Sequence, residues 1–228
     1  MFPAEHKWST LMDSVIDSWF EITLPRPPVA MIGFEQSDGC FWCGKDVSQG
    51  QDCACSERHK PWLRVFRLGN YEPPLSSCIV QGKYLAWDDG LEYLGTKIGE
   101  RIRGAVPPNS LVVPIPMPPI RRFFRKIDHT AVIAKFAARA SKLRMRRLLW
   151  RWESAPQASK TASARLKMKR NTMWLRPLAR VRGKHVVLID DVLTTGRTLE
   201  VATNKLRNAG VSSVRVAVLA ATKMPKKG

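Results

Sequence analysis

Apolar residues follow two rhythms along this chain. Trp8, Leu11, Met12, Val15, Ile16, Trp19 and Phe20 recur three and four apart, which predicts an amphipathic helix over 8–24. The charges within it are acidic, so its apolar face is read as packing on the protein and not on a membrane. Pro25, Pro27 and Pro28 end it, and 25–39 reads as a linker. The pattern then predicts a strand from Trp62 to Tyr71 and two helical pieces from about Pro74 to Ile102, with Lys83-Tyr84 between them. After a turn at Val106–Ser110, Leu111–Ile115 is a buried-strand candidate. Asp128 is placed to cap a helix from His129 to Lys142, with Val132, Ile133, Phe136, Ala137 and Ala140 facing the core. Leu148–Trp152 reads as another strand, and Met173–Leu178 as a return to the sheet. His185–Ile189 is an apolar, β-branched run too short for a helix and suited to burial on both faces. Leu199, Ala202, Leu206 and Ala209 sit at helical spacing, closed by Gly210, and Val214–Ala220 is the last strand.

These elements imply an α/β fold. The 228 residues have room for one such domain of about 150 residues and a small appendage. Hydrophobic content is 44%, as in an ordinary globular protein. No apolar run approaches the roughly 20 residues of a membrane span, and no signal-peptide core is visible, so a cytoplasmic protein is expected. Charge changes the picture. The chain has 38 Lys and Arg against 19 Asp and Glu, a formal +19. Between Arg121 and Lys184 there are 20 basic residues and two acids, Asp128 and Glu153, whereas residues 1–60 carry 9 acids and 5 bases. Such a segment clamps polyphosphate, binds nucleic acid or is simply solvated.

The candidate chemistry lies where the buried run ends. Asp190 and Asp191 close the strand, followed by the hydroxyl-rich turn Thr194-Thr195-Gly196-Arg197-Thr198 and a helix. Backbone N–H groups at a helix N-terminus favour an anion, Gly196 admits a close approach, and the Thr hydroxyls add donors. Two carboxylates would repel a second phosphate but suit a vicinal diol. The ligand implied is a ribose 5-phosphate at the carboxyl end of a parallel strand. A neighbouring strand end, Pro114-Ile115-Pro116, is stiffened by proline and followed by Arg121, Arg122, Arg125 and Lys126, a seat for pyrophosphate. The stretch Glu153–Asn171 is long, polar and basic, with Lys160 and Arg165, and reads either as a lid over the ligand or as a surface excursion. No His or Glu stands out as a general base.

Four cysteines form a separate cluster, Cys40-x2-Cys43-x9-Cys53-x-Cys55. Paired thiols joined by a short loop suit tetrahedral zinc, although one residue between the second pair is tight and His59 could replace Cys55. An empty knuckle and a redox pair remain as alternatives. Such a zinc would be structural, folding a module too small to bury its own core. Cys78 is left over and is expected to be a half-buried small hydrophobe.

Val186–Thr198 resembles the 5-phosphoribosyl pyrophosphate (PRPP) motif of type I phosphoribosyltransferases: four apolar residues, two acids, two apolar residues, then Thr-Thr-Gly-x-Thr. The order of parts over 38–222 resembles the ComF family. The cysteine knuckle, Lys83-Tyr84, Val113-Pro114-Ile115-Pro116, Arg125-Lys-Ile-Asp128-His129, and Gln157, Arg165 and Asn171 appear in sequence before the motif. The resemblance implies a type I phosphoribosyltransferase-like parallel sheet flanked by helices, with a small N-terminal zinc-knuckle module. The units would be an N-terminal helix and linker (1–37), the knuckle (38–60), the transferase-like domain (61–222) and a basic tail (223–228). It also implies Mg²⁺ as the companion of PRPP, an acceptor nitrogen of unspecified identity, and a link to competence and DNA uptake. In that reading Asp190 and Asp191 hold the ribose hydroxyls and residues 194–198 the 5-phosphate. The rival is a non-catalytic PRPP- or nucleotide-sensing adaptor that contacts single-stranded DNA through the basic segment, with Trp150, Trp152 and Trp174 as stacking faces, although tryptophans in such strand-like stretches are more often core. A zinc-dependent interaction protein is the plainest alternative.

Overall fold

A computed structural model describes residues 40, 60–84, 88–118, 127–152 and 173–222. The expected helix at 8–24, the linker, Cys43, Cys53, Cys55, His59, Arg125, Lys160, Arg165 and the tail lie outside the described residues.

Five parallel strands form the main sheet in the order β1-β7-β6-β2-β3. They are β1 (Val65–Asn70), β2 (Leu111–Pro114), β3 (Arg144–Met145), β6 (His185–Leu193) and β7 (Ser213–Ala221). Helices α1 (Leu75–Tyr84), α2 (Asp88–Ile102), α3 (His129–Ser141) and α4 (Arg197–Asn208) connect them. β4 (Leu149–Arg151) and β5 (Met173–Leu175) pair antiparallel in a separate two-stranded ribbon. Met173–Leu175 therefore does not return to the main sheet. Three residues are too few for their alternation to say which sheet they join.

Alternation along β6 sorts the core into two layers. Val187 and Ile189 point to one face, into a cluster with Cys78 and Ile79 of α1, Leu91, Leu94 and Ile98 of α2, and Ile133 of α3. Val186 and Leu188 point to the other, against Leu199, Ala202 and Leu206 of α4, and Leu149 and Met173 of the ribbon. Cys78 is wholly buried, not half-buried, and burial pushes its thiol pKa up.

Small residues let α2 and α3 approach closely. A Cβ on Gly99 would sit 2.5 Å from the Ala137 carbonyl oxygen, and one on Gly95 2.8 Å from that of Ile133. Asp128 caps α3, its Oδ1 accepting from the Ala131 N–H at 3.2 Å, and Lys142 ends it in the left-handed region at φ 59°. Of the α3 residues expected in the core, Ile133 and Ala137 are fully buried, while Val132, Phe136 and Ala140 are only partly buried.

The crossover from β2 through α3 leads outward to β3, and that from β6 through α4 leads the other way to β7. Adjacent strands whose connections diverge leave a crevice at their carboxyl ends, here between β2 and β6.

Candidate functional site

β6 is longer than its apolar run. It stays paired to β7 through Asp190↔Val218, Val192↔Ala220 and Leu193↔Ala221, so both aspartates lie on the strand itself. β2 leaves sooner. Its last register pair is Pro114↔Ile189, and the Ile115 N–H still donates to the Ile189 carbonyl at 2.9 Å. Pro116 and Pro118 have no N–H with which to continue the ladder, so the edge of β6 opens beside the two acids. Pro114 and Ile115 are buried and Pro116 is half-buried. Ile115 packs in the layer that holds Leu188, so its backbone is what faces the crevice.

Adjacent positions on a strand face opposite ways, and the carboxylates diverge accordingly. Asp191 turns to the layer of α1 and α3. There its Oδ2 meets Lys83 Nζ at 2.7 Å and His129 Nε2 at 2.9 Å, and its Oδ1 accepts from the Val192 N–H at 2.6 Å. Burial works to raise this carboxyl's pKa. The hydrogen bond from His129 and the charge of Lys83 outweigh it and hold Asp191 below the usual carboxylate range. Asp190 turns to the ribbon's layer. Its Oδ1 accepts from the Asp191 N–H at 3.0 Å, and no contact engages its Oδ2 among the described residues. Desolvation first, and repulsion by Asp191 second, push its pKa up to about 8 against the weaker pull of Lys83 and Arg151. One carboxylate is thus committed to the protein, while the other keeps an oxygen free at the crevice.

The turn beyond β6 is open to solvent at Thr194, Thr195 and Arg197, with Thr198 half-buried. Gly196 is the N-cap of α4 at φ 76° and has no side chain to cap it; Thr195 Oγ1 accepts from the Arg197 N–H at 3.4 Å, and the N–H groups that follow keep their donor capacity for an outside acceptor. A Cβ at Gly196 would stand 3.1 Å from the buried Trp62 ring, a tight contact that adds to the torsional strain of a side chain there. Glu200 in the first turn is an unwelcome charge for an anion site. It is held by Lys60 at 2.6 Å and Arg197 at 3.3 Å, which neutralise it.

Lys83 and His129 were given no site role by the sequence reading, since contacts between distant elements leave no local periodicity. The signal available was the Lys-Tyr pair and the Asp128-His129 step of the family resemblance. His129 is buried, and its Nδ1 has no partner. If Nε2 donates to Asp191, Nδ1 is a bare acceptor. Among the described residues no group of three or more His, Cys, Asp or Glu could hold a metal. Cys40, the one knuckle residue described, is buried and not in a disulfide. No described helix is long and apolar enough to cross a membrane.

A parallel sheet flanked by helices, with two acids on a central strand and a threonine-rich turn opening the next helix, defines the type I phosphoribosyltransferase fold. Residues 136–227 match the model of the phosphoribosyl transferase domain. Homologues extend the match beyond that domain. The chain is 28% identical to the DNA utilization protein YhgH of Escherichia coli (strain K12), over 80% of its length and 84% of the relative's. It is 26% identical to Competence protein F of Haemophilus influenzae, over 78% and 82%. The chain is thus similar to proteins of both names over most of its length. The glutamine PRPP amidotransferase of B. subtilis overlays with a TM-score of 0.43 at 20% identity, covering 62% of this chain and 30% of that one.

Proposed function

We propose that the chain is a phosphoribosyltransferase-like protein that binds PRPP with Mg²⁺ in the crevice between β2 and β6 and presents its C1 to a nitrogen acceptor. The observation that carries this is the free oxygen of Asp190 on the strand that leads into a solvent-open turn, whose helix starts at a glycine. The N–H groups of residues 194–198, the hydroxyls of Thr194, Thr195 and Thr198, and the Arg197 guanidinium receive the 5-phosphate. Asp190 takes a ribose hydroxyl. Asp191, pinned by Lys83 and His129, fixes the strand end that aims Asp190. Pro114, Pro116 and the Ile115 backbone frame the pyrophosphate, with Arg125, Lys160 and Arg165 as its cations.

One uncommitted carboxylate oxygen fits a Mg²⁺ that takes most of its ligands from substrate and water. Mg²⁺ held there with the substrate would supply positive charge against the departing pyrophosphate. Breaking the C1–O bond leaves positive charge on the ribose ring, which Asp190 offsets once its carboxyl has lost its proton. The crevice orients the acceptor against C1, an effect worth several kcal/mol in well-positioned reactions. The thiolates of Cys40, Cys43, Cys53 and Cys55, with His59 as alternative ligand, hold a structural zinc. The thiol spacing supports that assignment, and metal content by mass measurement tests it. The names of the relatives support a role in competence or DNA utilization.

The test is thermal stabilisation by PRPP with and without Mg²⁺. Ligand at a hundredfold excess over Kd adds about 2.7 kcal/mol. The parent should melt higher with PRPP and Mg²⁺ together, and Asp190→Asn should lose the effect. No shift in the parent refutes the reading.

A further inference from the structure

The antiparallel ribbon β4–β5 has two unlike faces. Leu149 and Met173 are buried beneath it against the β6 layer, as alternation requires. Trp150 and Trp174, register partners across the ribbon, therefore face outward. Their rings stack with centroids 4.9 Å apart and planes 28° from parallel. They are 40% and 37% exposed, and Trp152, one step further along β4, is 57% exposed. Three tryptophans left in water on one short ribbon are costly to solubility and add little to folding, because an exposed ring keeps much of its apolar area wet.

The sequence that carries the ribbon is basic. Segments 142–152 and 173–184 hold nine basic residues and no acid. Arg146, Arg147 and Arg176 are exposed where the ribbon begins, Arg147 also reaching Asp128 at 3.2 Å, and the Arg176 N–H bonds the Leu148 carbonyl at 2.7 Å. Flat aromatic faces combined with a cationic border match a ligand that alternates planar rings with phosphates.

We propose that the outer face of this ribbon is a binding surface for single-stranded nucleic acid. Bases stack on Trp150, Trp174 and Trp152, and the phosphodiester backbone follows Arg146, Arg147 and Arg176. A duplex keeps its bases paired and stacked on one another, so it can use the arginines but not the rings. The surface uses none of the residues assigned to the sugar phosphate, and it stands or falls independently of PRPP binding.

The experiment is fluorescence anisotropy of the full-length protein with a labelled 20-nucleotide oligo-dT, an abasic strand of the same length and a 20-base-pair duplex. Oligo-dT should bind at least tenfold tighter than the abasic strand. Trp150→Ala with Trp174→Ala should erase that preference while leaving the salt slope unchanged, since stacking contributes roughly 1–3 kcal/mol per base. Trp150→Phe with Trp174→Phe should keep most of the preference, which separates lost stacking from lost folding. Arg146→Gln with Arg176→Gln should flatten the slope of log K against log salt by about 1.4, for two phosphate contacts at about 0.7 each. Equal affinity for the abasic strand, preference for the duplex, or an alanine variant that binds like the parent overturns the proposal. So does a parent dimer that the alanine pair converts to monomer, which would assign the face to a second copy.

Discussion

Replacing Asp190 with Asn should stabilise the fold while abolishing ligand binding. The side chain is partly desolvated and sits one residue from a second carboxylate that is always ionised, so its negative charge is held at a cost. Its pKa is raised in the folded protein, to about 8, from the ordinary value near 3.9. A carboxyl with a raised folded pKa binds its proton more tightly when native. The protein therefore loses stability as pH climbs from the unfolded pKa to the folded one. At about 1.36 kcal/mol per unit, the upper bound at pH 7 is about 4 kcal/mol. Asn keeps the oxygen that accepts from the Asp191 N–H but forfeits the attraction of Lys83 and Arg151, so the expected gain is about 1–2 kcal/mol. That is roughly 2–8 °C in Tm for a chain of this size. Melting followed by scanning fluorimetry from pH 4 to 8 should show parent and variant together at the acid end and the variant increasingly ahead above it. A variant that melts lower at pH 8, or a gain that ignores pH, refutes the electrostatic argument.

The other predictions concern the partners. Lys83→Met strands the buried Asp191 with only His129, and should cost about 3 kcal/mol at neutral pH. Adding Asp191→Asn to it should return part of that loss, a coupling readable by urea denaturation as a double-mutant cycle. Because the folded pKa of Asp191 is depressed, its contribution is complete above the unfolded pKa near 3.9 and fades as pH falls below it, so the Lys83→Met deficit should shrink in strong acid. Gly196→Ala must hold a Cβ at φ 76° against Trp62, and should lose about 1–2 kcal/mol of stability together with the PRPP-dependent melting shift. Gly99→Ala gains about 1 kcal/mol of helix propensity but drives a methyl onto the Ala137 carbonyl, so a net loss of about 1–2 kcal/mol is expected by circular dichroism melting.

What the chain disclosed in advance was local and contiguous. The run from His185 through Thr198 carries a strand, its acids and the turn within one stretch, and Asp128 precedes its helix at the cap position, so both were legible. The expected strand nonetheless stopped at Ile189, because aspartates seldom occupy strands, and this hid the divergence of Asp190 and Asp191 onto opposite faces. β3 is two residues set among arginines and offers no pattern to read. The ribbon looked like sheet core because tryptophan usually is, whereas the alternation with buried Leu149 turns Trp150 outward. His129 and Lys83 meet Asp191 from separate helices, and no periodicity announces a contact across 62 residues.

The placement of the two aspartates on consecutive positions of one hydrogen-bonded strand also limits how this gene can drift. A single codon gained or lost upstream in β6 would exchange the sides to which the two carboxylates project. The lysine and histidine would then face the other aspartate or an apolar side chain, and the turn that follows would be out of register with the crevice. Loops around the site can lengthen or shorten freely, but this strand can change only by substitution.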